Sequence, residues 1–319
     1  MRIDIVVPCY NEEQVLPGTA RSLLDLLGSL TGAGTISAPS RVLFVDDGST
    51  DGTWRLIRTL AAADPRVAGI KLSRNRGHQT ALLAGLQACD ADAAISIDAD
   101  LQDDIGAIPG MLEQFRDGCD IVFGIRQERG SDSLFKRMSA GAYYRLMRRL
   151  GVDLVEQHGD FRLLSRRALD CLREYREVNL FLRGLVPQLG FRCGKVFYDR
   201  SARLAGVSKY SLRRMLALAL DGVTSFSAAP LRLAAALGAL AFLASLGMAG
   251  WVLWIRLFTA SAVPGWASTV IPMYFLGGIQ LLSIGIVGEY LARVYLEVKQ
   301  RPKYFIESSV GSGWGATPP

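Results

Sequence analysis

Two carboxylates stand two residues apart in Asp98-Ala99-Asp100, directly after the apolar run Ala94–Ile97. If that run is a strand, residues i and i+2 leave it on the same side. Like charges gathered at a strand end are stabilised by a cation, and all-oxygen ligands select Mg²⁺ or Mn²⁺. A diphosphate would complete such a coordination sphere. Taken alone, Asp-x-Asp also fits a solvated loop. A second acidic segment, Val45-Asp46-Asp47-Gly48-Ser49-Thr50-Asp51-Gly52, likewise closes an apolar run. A carboxylate there can accept hydrogen bonds from a base or from ribose hydroxyls. Ser49, Thr50 and Asp51 suit turn formation and helix capping, which leaves Asp47 as the ligand candidate.

Both segments belong to a repeating pattern. Short β-branched runs alternate with helical periodicity: Ile3–Val7 then Glu12–Leu30, Val42–Val45 then Thr53–Ala63, Val67–Leu72 then Gln79–Ala88, Ala94–Ile97 then Ile105–Phe115, and finally Ile121–Phe123. Such alternation predicts an α/β fold with a mainly parallel sheet covered by helices on both faces. Ligands of these sheets bind beyond the carboxyl ends of the strands. The residues expected there are Pro8 to Glu12, Asp46 to Ser49, Arg74 to His78, Asp98 to Asp100 and Gly124 to Arg126. His78, a lone histidine between a strand and a helix, is expected to serve as a hydrogen-bonding group at the helix start, outside the catalytic set.

Charges are frequent up to Arg232 and nearly vanish from Leu233 to Gly288, where only Arg256 interrupts. The uncharged stretch Leu233–Ile255 is long enough, at about 1.5 Å per residue, to cross a hydrocarbon layer about 30 Å thick. A second span is expected from about Val270 to Gly288, with Trp266 and Tyr290 as interfacial aromatics. Basic residues flank both spans on their outer sides, so the positive-inside rule places both termini in the cytoplasm and the connecting loop outside. Basic, apolar-striped segments at Leu134–Leu150 and Ser211–Val223 fit either interfacial helices or ordinary amphipathic helices on a soluble domain. The formal charge is +6, and its clustering beside the apolar segments points to a membrane surface instead of nucleic acid. The five cysteines are scattered and odd in number, which fits reduced thiols and not a disulfide framework or zinc site. The chain opens directly into a β-like run, so no secretory signal is expected. The Gly/Ser-rich segment after Glu307 is expected to be flexible.

The matching pieces Val7-Pro8-Cys9-Tyr10-Asn11-Glu12, Val45 to Thr53, Asp98-Ala99-Asp100-Leu101-Gln102-Asp103, Gly124-Ile125-Arg126, Gly159-Asp160-Phe161-Arg162 and Gly206-Val207-Ser208-Lys209-Tyr210 occur in one order. In that order the chain resembles the inverting glycosyltransferases of GT-A nucleotide-sugar-binding fold. Within them it is most similar to the polyisoprenyl-phosphate subgroup, the dolichyl-phosphate and undecaprenyl-phosphate enzymes, and above all to bacterial polyprenyl-phosphate glucosyltransferases. The resemblance implies a cytoplasmic catalytic domain over residues 1–210, a juxtamembrane segment at 211–232, two transmembrane helices within 233–289 and a cytoplasmic tail at 290–319. It implies a multi-pass protein of the cell's inner membrane and a homo-oligomer, with a homotetramer among the expected states. The donor it implies is a nucleotide sugar, UDP-glucose first, and the acceptor a polyisoprenyl phosphate lipid. Pro8, Tyr10, Glu12 and Asp47 would hold the nucleoside, with Asp98, Ala99 and Asp100 completing the donor site. Asp98 and Asp100 would carry Mg²⁺ or Mn²⁺, and Gln102 would stand on the donor side of the reaction centre. Arg126, Arg162, Arg203 and Lys209 would bind the acceptor phosphate, Arg126 also acting in catalysis. For Arg203 a lipid-headgroup contact is an equal alternative. The family commonly follows its acidic motif with a proline pair; this chain has Asp103-Asp104-Ile105 instead, which is expected to reshape the lip of the acceptor site.

Two other classes compete. A processive polysaccharide synthase would carry Gln-x-x-Arg-Trp, yet none of the tryptophans follows an arginine. A membrane adaptor or transporter subunit would have ionisable groups along its spans, and these are nearly absent.

Overall fold

A computed structural model describes residues 1–127, 158–175, 182–199, 229–258 and 266–311. Arg203, Lys209, the segments Leu134–Leu150 and Ser211–Val223, and the loop expected outside the membrane lie outside the described residues. The chain divides into two units, one built from the described residues up to 199 together with 301–311, the other from 229–300.

In the first unit, strands β1 (Ile3–Cys9), β2 (Arg41–Asp46), β3 (Val67–Leu72), β4 (Ala93–Ser96), β5 (Ile121–Gln127), β6 (His158–Ser165), β7 (Cys193–Asp199) and β8 (Ile306–Val310) form one sheet. Its order is β7-β5-β6-β4-β1-β2-β3-β8. β1 pairs in parallel with β2 and β4, β2 with β3 and β5 with β7, whereas β6 runs antiparallel to β4 and β5, and β8 antiparallel to β3. The sheet is therefore mixed but mostly parallel, as the alternating pattern predicts.

Helices α1 (Leu16–Gly32), α2 (Thr53–Ala63), α3 (His78–Ala88), α4 (Ile108–Arg116), α5 (Arg166–Glu174) and α6 (Leu182–Gln188) cover it. Every residue of β1 is buried, because both faces are covered and the strand is apolar except for Asp4, whose carboxylate is paired with Arg41 at 3.1 Å. Alternate residues still divide between two cores. Ile3, Ile5 and Val7 pack with Leu16, Leu23, Ile57 and Met111, while Val6 packs with Leu82, Leu86 and Leu169. Gly85 lets α3 approach closely, since a Cβ there would lie 2.4 Å from Val6 Cγ1. Helix starts shift slightly from expectation. Pro17 sits in the first turn of α1, where a missing N–H costs nothing. The expected helix at 105–115 begins as a 3₁₀ turn, Ile105–Ala107, capped by the Asp104 carboxylate accepting from Gly106 N at 2.8 Å.

One expectation is overturned at the C-terminus. Ile306–Val310, whose last three residues belong to the segment expected to be flexible, is the edge strand β8 of the catalytic sheet. Lys71 Nζ donates to Glu307 Oε1 at 3.0 Å, Ser73 N to Phe305 O at 2.9 Å and Tyr304 Oη to Gln87 Oε1 at 2.9 Å. Pairing capped by these polar contacts outweighs the conformational entropy of a short, serine-containing strand.

The second unit contains two long helices, α7 (Ala229–Phe258) and α8 (Trp266–Val298). Among the described residues one helix, α8 over Phe275–Val298, is long and apolar enough to cross a membrane, and the apolar stretch Ala234–Met248 in α7 is shorter. Large apolar side chains of both helices are exposed, among them Leu240, Phe242, Leu246, Trp251, Phe275, Leu281 and Ile284.

Candidate functional site

The carboxyl ends of β1, β2 and β4 meet as a set of interlocked loops. After β1 the backbone enters the left-handed region at Asn11 (φ 55°), and after β4 at Leu101 (φ 46°). Asn tolerates that conformation, whereas for leucine it costs roughly 1–2 kcal/mol, the kind of strain that collects at functional sites. Asn11 N donates to Ser49 Oγ at 2.9 Å, Thr50 N to Asn11 Oδ1 at 2.9 Å and Glu12 N to Thr53 Oγ1 at 2.9 Å. Ser49, Thr50 and Asp51 thus serve the turn, Asp51 Oδ1 accepting Thr53 N at 3.0 Å, while the expected side-chain cap is not made: the N-cap of α2 is Gly52.

The expected donor-binding residues come together with distinct duties. Tyr10 is 45% exposed at the open edge, available to a planar base, while Pro8 is buried within β1. Ala99 is buried, and its carbonyl accepts the Thr19 hydroxyl at 2.5 Å, so it anchors the acidic turn to α1. Asp47 differs from expectation. It is 2% exposed, and its two oxygens accept Arg76 N at 2.7 Å and Gly77 N at 2.8 Å. It latches the loop before α3, which limits it as a direct ligand. Gly48 permits that latch. Its φ is +67°, and a Cβ would lie 2.5 Å from the Arg74 carbonyl carbon.

Asp98 and Asp100 stand in the turn after β4, where Asp100 Oδ1 accepts Gln102 N at 3.2 Å. Asp98 Oδ1 is enclosed without a hydrogen-bond donor, and its cationic neighbour is His78 Nε2 at 3.4 Å. Burial raises the Asp98 carboxyl; His78 opposes this, and Asp160, Asp103 and Asp100 add to it. Burial likewise raises Glu12, with Asp100, Asp51 and Asp98 reinforcing the shift. Carboxylates that repel one another around an oxygen atom lacking a donor are a donor set suited to a hard divalent cation. Mg²⁺ or Mn²⁺ therefore fits the residues present. Gln102 is buried beside this turn at 4% exposure.

The centre of the next cluster is Asp160 on β6, a residue the expected site did not include. Its Oδ2 receives His78 Nε2 at 3.2 Å, Gln79 Nε2 at 3.0 Å and Arg183 Nη2 at 3.1 Å, and its Oδ1 receives Arg162 Nη2 at 2.6 Å. Burial alone would raise this carboxyl, but the bond from His78 and the charges of Arg162 and Arg183 hold it well below the usual carboxylate range. His78, Asp98 and Asp160 offer ligand atoms within 4.8 Å of one another. The donors already crowding Asp160 make it a hub for cations and amides.

Arg162 requires a correction. It was expected to meet the acceptor phosphate, yet it is 0% exposed and its Nη1 donates to Leu182 O at 3.1 Å. It is the interior counter-ion of Asp160. His78, expected to act only at the helix start, is the first residue of α3 and also bridges Asp160 and Asp98. The signal for Asp160 and Arg162 was opposite charges two apart in an otherwise apolar run, because buried charges are paired.

Arg126, at the end of β5, is 30% exposed, with Nη2 3.0 Å from Asp103 Oδ1 and Nε 3.1 Å from Tyr198 Oη. Tyr198 in turn donates to Asp103 Oδ1 at 2.5 Å. Asp103, the last residue of the matched acidic motif, is thus the buried anchor of Arg126. A Cβ on Gly159 would lie 3.0 Å from Arg126 Nη2, so glycine leaves room for that guanidinium.

The chain is similar to known glycosyltransferases. The family model described as glycosyl transferase family 2 matches residues 4–173. A protein of Bacillus subtilis (strain 168) named uncharacterized glycosyltransferase YkoT is 47% identical over 307 residues, covering 96% of this chain and 91% of the relative. The SfII prophage-derived bactoprenol glucosyl transferase of Shigella flexneri is 38% identical over 313 residues, covering 97% and 98%. Among solved structures, a mannosyltransferase from Pyrobaculum calidifontis in complex with GDP-Man and Mn²⁺ aligns with a TM-score of 0.44 at 18% identity, covering 91% of this chain and 87% of that one. The chain belongs to glycosyltransferase family 2 and is a glycosyltransferase of GT-A fold.

Proposed function

We propose that the protein transfers glucose from UDP-glucose to a polyisoprenyl phosphate such as undecaprenyl phosphate, with inversion at the anomeric carbon. The observation that carries this reading is the juxtaposition, at one sheet edge, of the acidic turn Asp98–Asp100 with the arginines anchored on Asp103 and Asp160. Near full-length similarity to a bactoprenol glucosyl transferase supports the sugar and the lipid.

Asp98 and Asp100 would hold Mg²⁺ or Mn²⁺, which supplies charge neutralisation for the departing nucleoside diphosphate. Tyr10, Pro8 and Glu12 line the donor side with Ala99, while Asp47 acts by fixing the neighbouring loop, and Gln102 stands next to the reacting sugar. Arg126 faces phosphate oxygens, and Lys209 and Arg203 belong to the acceptor side in this reading. A lipid phosphate has its second pKa near 6, so it arrives ionised and needs no base. Its oxygen attacks the anomeric carbon as the bond to the nucleoside diphosphate breaks, and the electron pair leaves with the diphosphate. Positioning and fixed charge do the rest.

The domain reading is a catalytic domain over 1–210, a juxtamembrane segment to 232 and two spans within 233–289, with Ile306–Val310 returning to the catalytic sheet. That return supports an even number of crossings. The chain leaves the catalytic unit before α7 and rejoins it after α8, so if α8 spans the membrane, α7 must cross as well. Basic residues on the flanks favour the cytoplasmic side of the inner membrane for the catalytic unit. Open glycines on the helices, Gly238, Gly277 and Gly278, suit close packing in a homo-oligomer.

The test is a screen of nucleotide sugars against undecaprenyl phosphate with purified full chain, detecting the lipid product by mass spectrometry. UDP-glucose should give a hexosyl-phosphoryl lipid. Product from a different donor alone would reassign the sugar, and polymer growth would favour a processive synthase.

A further inference from the structure

The Asp160 carboxylate is shared by two arginines that reach it from opposite degrees of burial. Arg162 already meets Asp160 at 2.6 Å from the buried side. Arg183, on α6, meets the same carboxylate through Nη2 at 3.1 Å and Nε at 3.4 Å. One carboxylate thus faces two permanent cations, and the two differ in access: the Arg162 side chain is 0% exposed, that of Arg183 44%. Asp160 occupies only one edge of the Arg183 fork, since a guanidinium has five N–H donors. The other edge, through Nη1, has no acceptor among the described residues.

Arg126 comes from the other side of the same strand turn. Its Nη2 lies against Gly159, the residue next to Asp160, and it is anchored on Asp103. Gly159 and Asp160 are adjacent in β6, so the two guanidiniums flank neighbouring positions of one strand. Two partly exposed guanidiniums held near each other by buried carboxylates are arranged to accept an anion between them. Planar forks suit phosphate oxygens in particular.

We infer that Arg183 is a phosphate-binding residue of the active site, acting with Arg126 in the place expected for Arg162. The inference rests on the proposed phosphate chemistry and adds a residue to it. The phosphate could belong to the lipid acceptor or to the nucleoside diphosphate, and both present the same oxygens.

The experiment measures binding, so that it does not depend on turnover. Full-length wild type, Arg183→Gln and Arg183→Lys in nanodiscs are titrated separately with undecaprenyl phosphate and with UDP plus Mn²⁺, alongside thermal melting. Loss of one charge-assisted contact should weaken one titration at least tenfold in Arg183→Gln, with partial recovery in Arg183→Lys. Weakening of the lipid titration alone assigns Arg183 to the acceptor; weakening of the UDP titration alone assigns it to the donor diphosphate. Unchanged affinities for both ligands overturn the inference, as does a lowered melting temperature with both affinities retained. If wild type binds UDP but not the lipid, the polyprenyl reading fails while the UDP arm still decides Arg183.

Discussion

Arg162 Nη2 lies 2.6 Å from Asp160 Oδ1, two residues earlier on the same face of β6, with neither side chain more than 4% exposed. Breaking such a buried pair typically costs about 3–5 kcal/mol, and the low end applies here because Arg183 and His78 still reach Asp160 when Arg162 is removed.

Arg162→Met is therefore expected to lower stability by about 3 kcal/mol, measured by denaturation of the full chain in detergent. A loss under about 1 kcal/mol in this variant would return Arg162 to the surface role expected from sequence.

Gly48→Ala should also destabilise, by a different cause. The substitution forces a Cβ onto the Arg74 backbone at a positive φ, adding roughly 1–2 kcal/mol of conformational cost to a clash that flexible side chains cannot relieve. The latch between Asp47 and the N–H groups of Arg76 and Gly77 should loosen, so UDP affinity and melting temperature fall together. Normal values for both would show that the loop is not built on this close approach.

These two predictions mark where sequence and structure part. The strands were legible because β-branched runs such as Val42–Val45 end in turn chemistry, and the acidic turn was legible because carboxylates rarely follow such runs without a purpose. The inward turn of Arg162 was not, since it depends on α6 covering one face of β6 from distant sequence. Asp47 offered the right chemistry but was claimed by backbone N–H groups 29 and 30 residues away. His78 reads as a helix-start residue locally; only the packing of β6 beside β4 brings Asp160 to it. Ile306–Val310 was hidden for the same reason, as a short polar strand whose partner, β3, lies 236 residues away at the Lys71–Glu307 contact.

Metal binding offers a third prediction. Asp100→Asn removes a charged ligand while leaving the Gln102 turn bond an acceptor oxygen. Mn²⁺ affinity, followed by the metal's paramagnetic effect on water relaxation in the presence of UDP, should fall at least tenfold with little change in melting temperature. Unaltered Mn²⁺ affinity would remove Asp100 from the ligand set.

The return of the chain at β8 makes a fourth prediction about topology. A tag after residue 311 should be protected in intact cells and accessible in inverted vesicles, and a tag near Pro264 should behave oppositely. Truncation before Phe305 should lower the melting temperature of the catalytic unit, because it exposes the β3 edge. Equal accessibility of both tags on one face would exclude the two-span arrangement.

Transfer to lipid is the most direct measurement. Purified full chain is incubated with UDP-glucose carrying a labelled sugar, undecaprenyl phosphate and Mn²⁺, and the organic extract is analysed by mass and by anomeric configuration. The account predicts label in a β-linked glucosyl-phosphoryl lipid that requires both the lipid and the cation and is lost in Asp100→Asn. Label appearing only as free glucose, or in a lipid of retained α configuration, would contradict it.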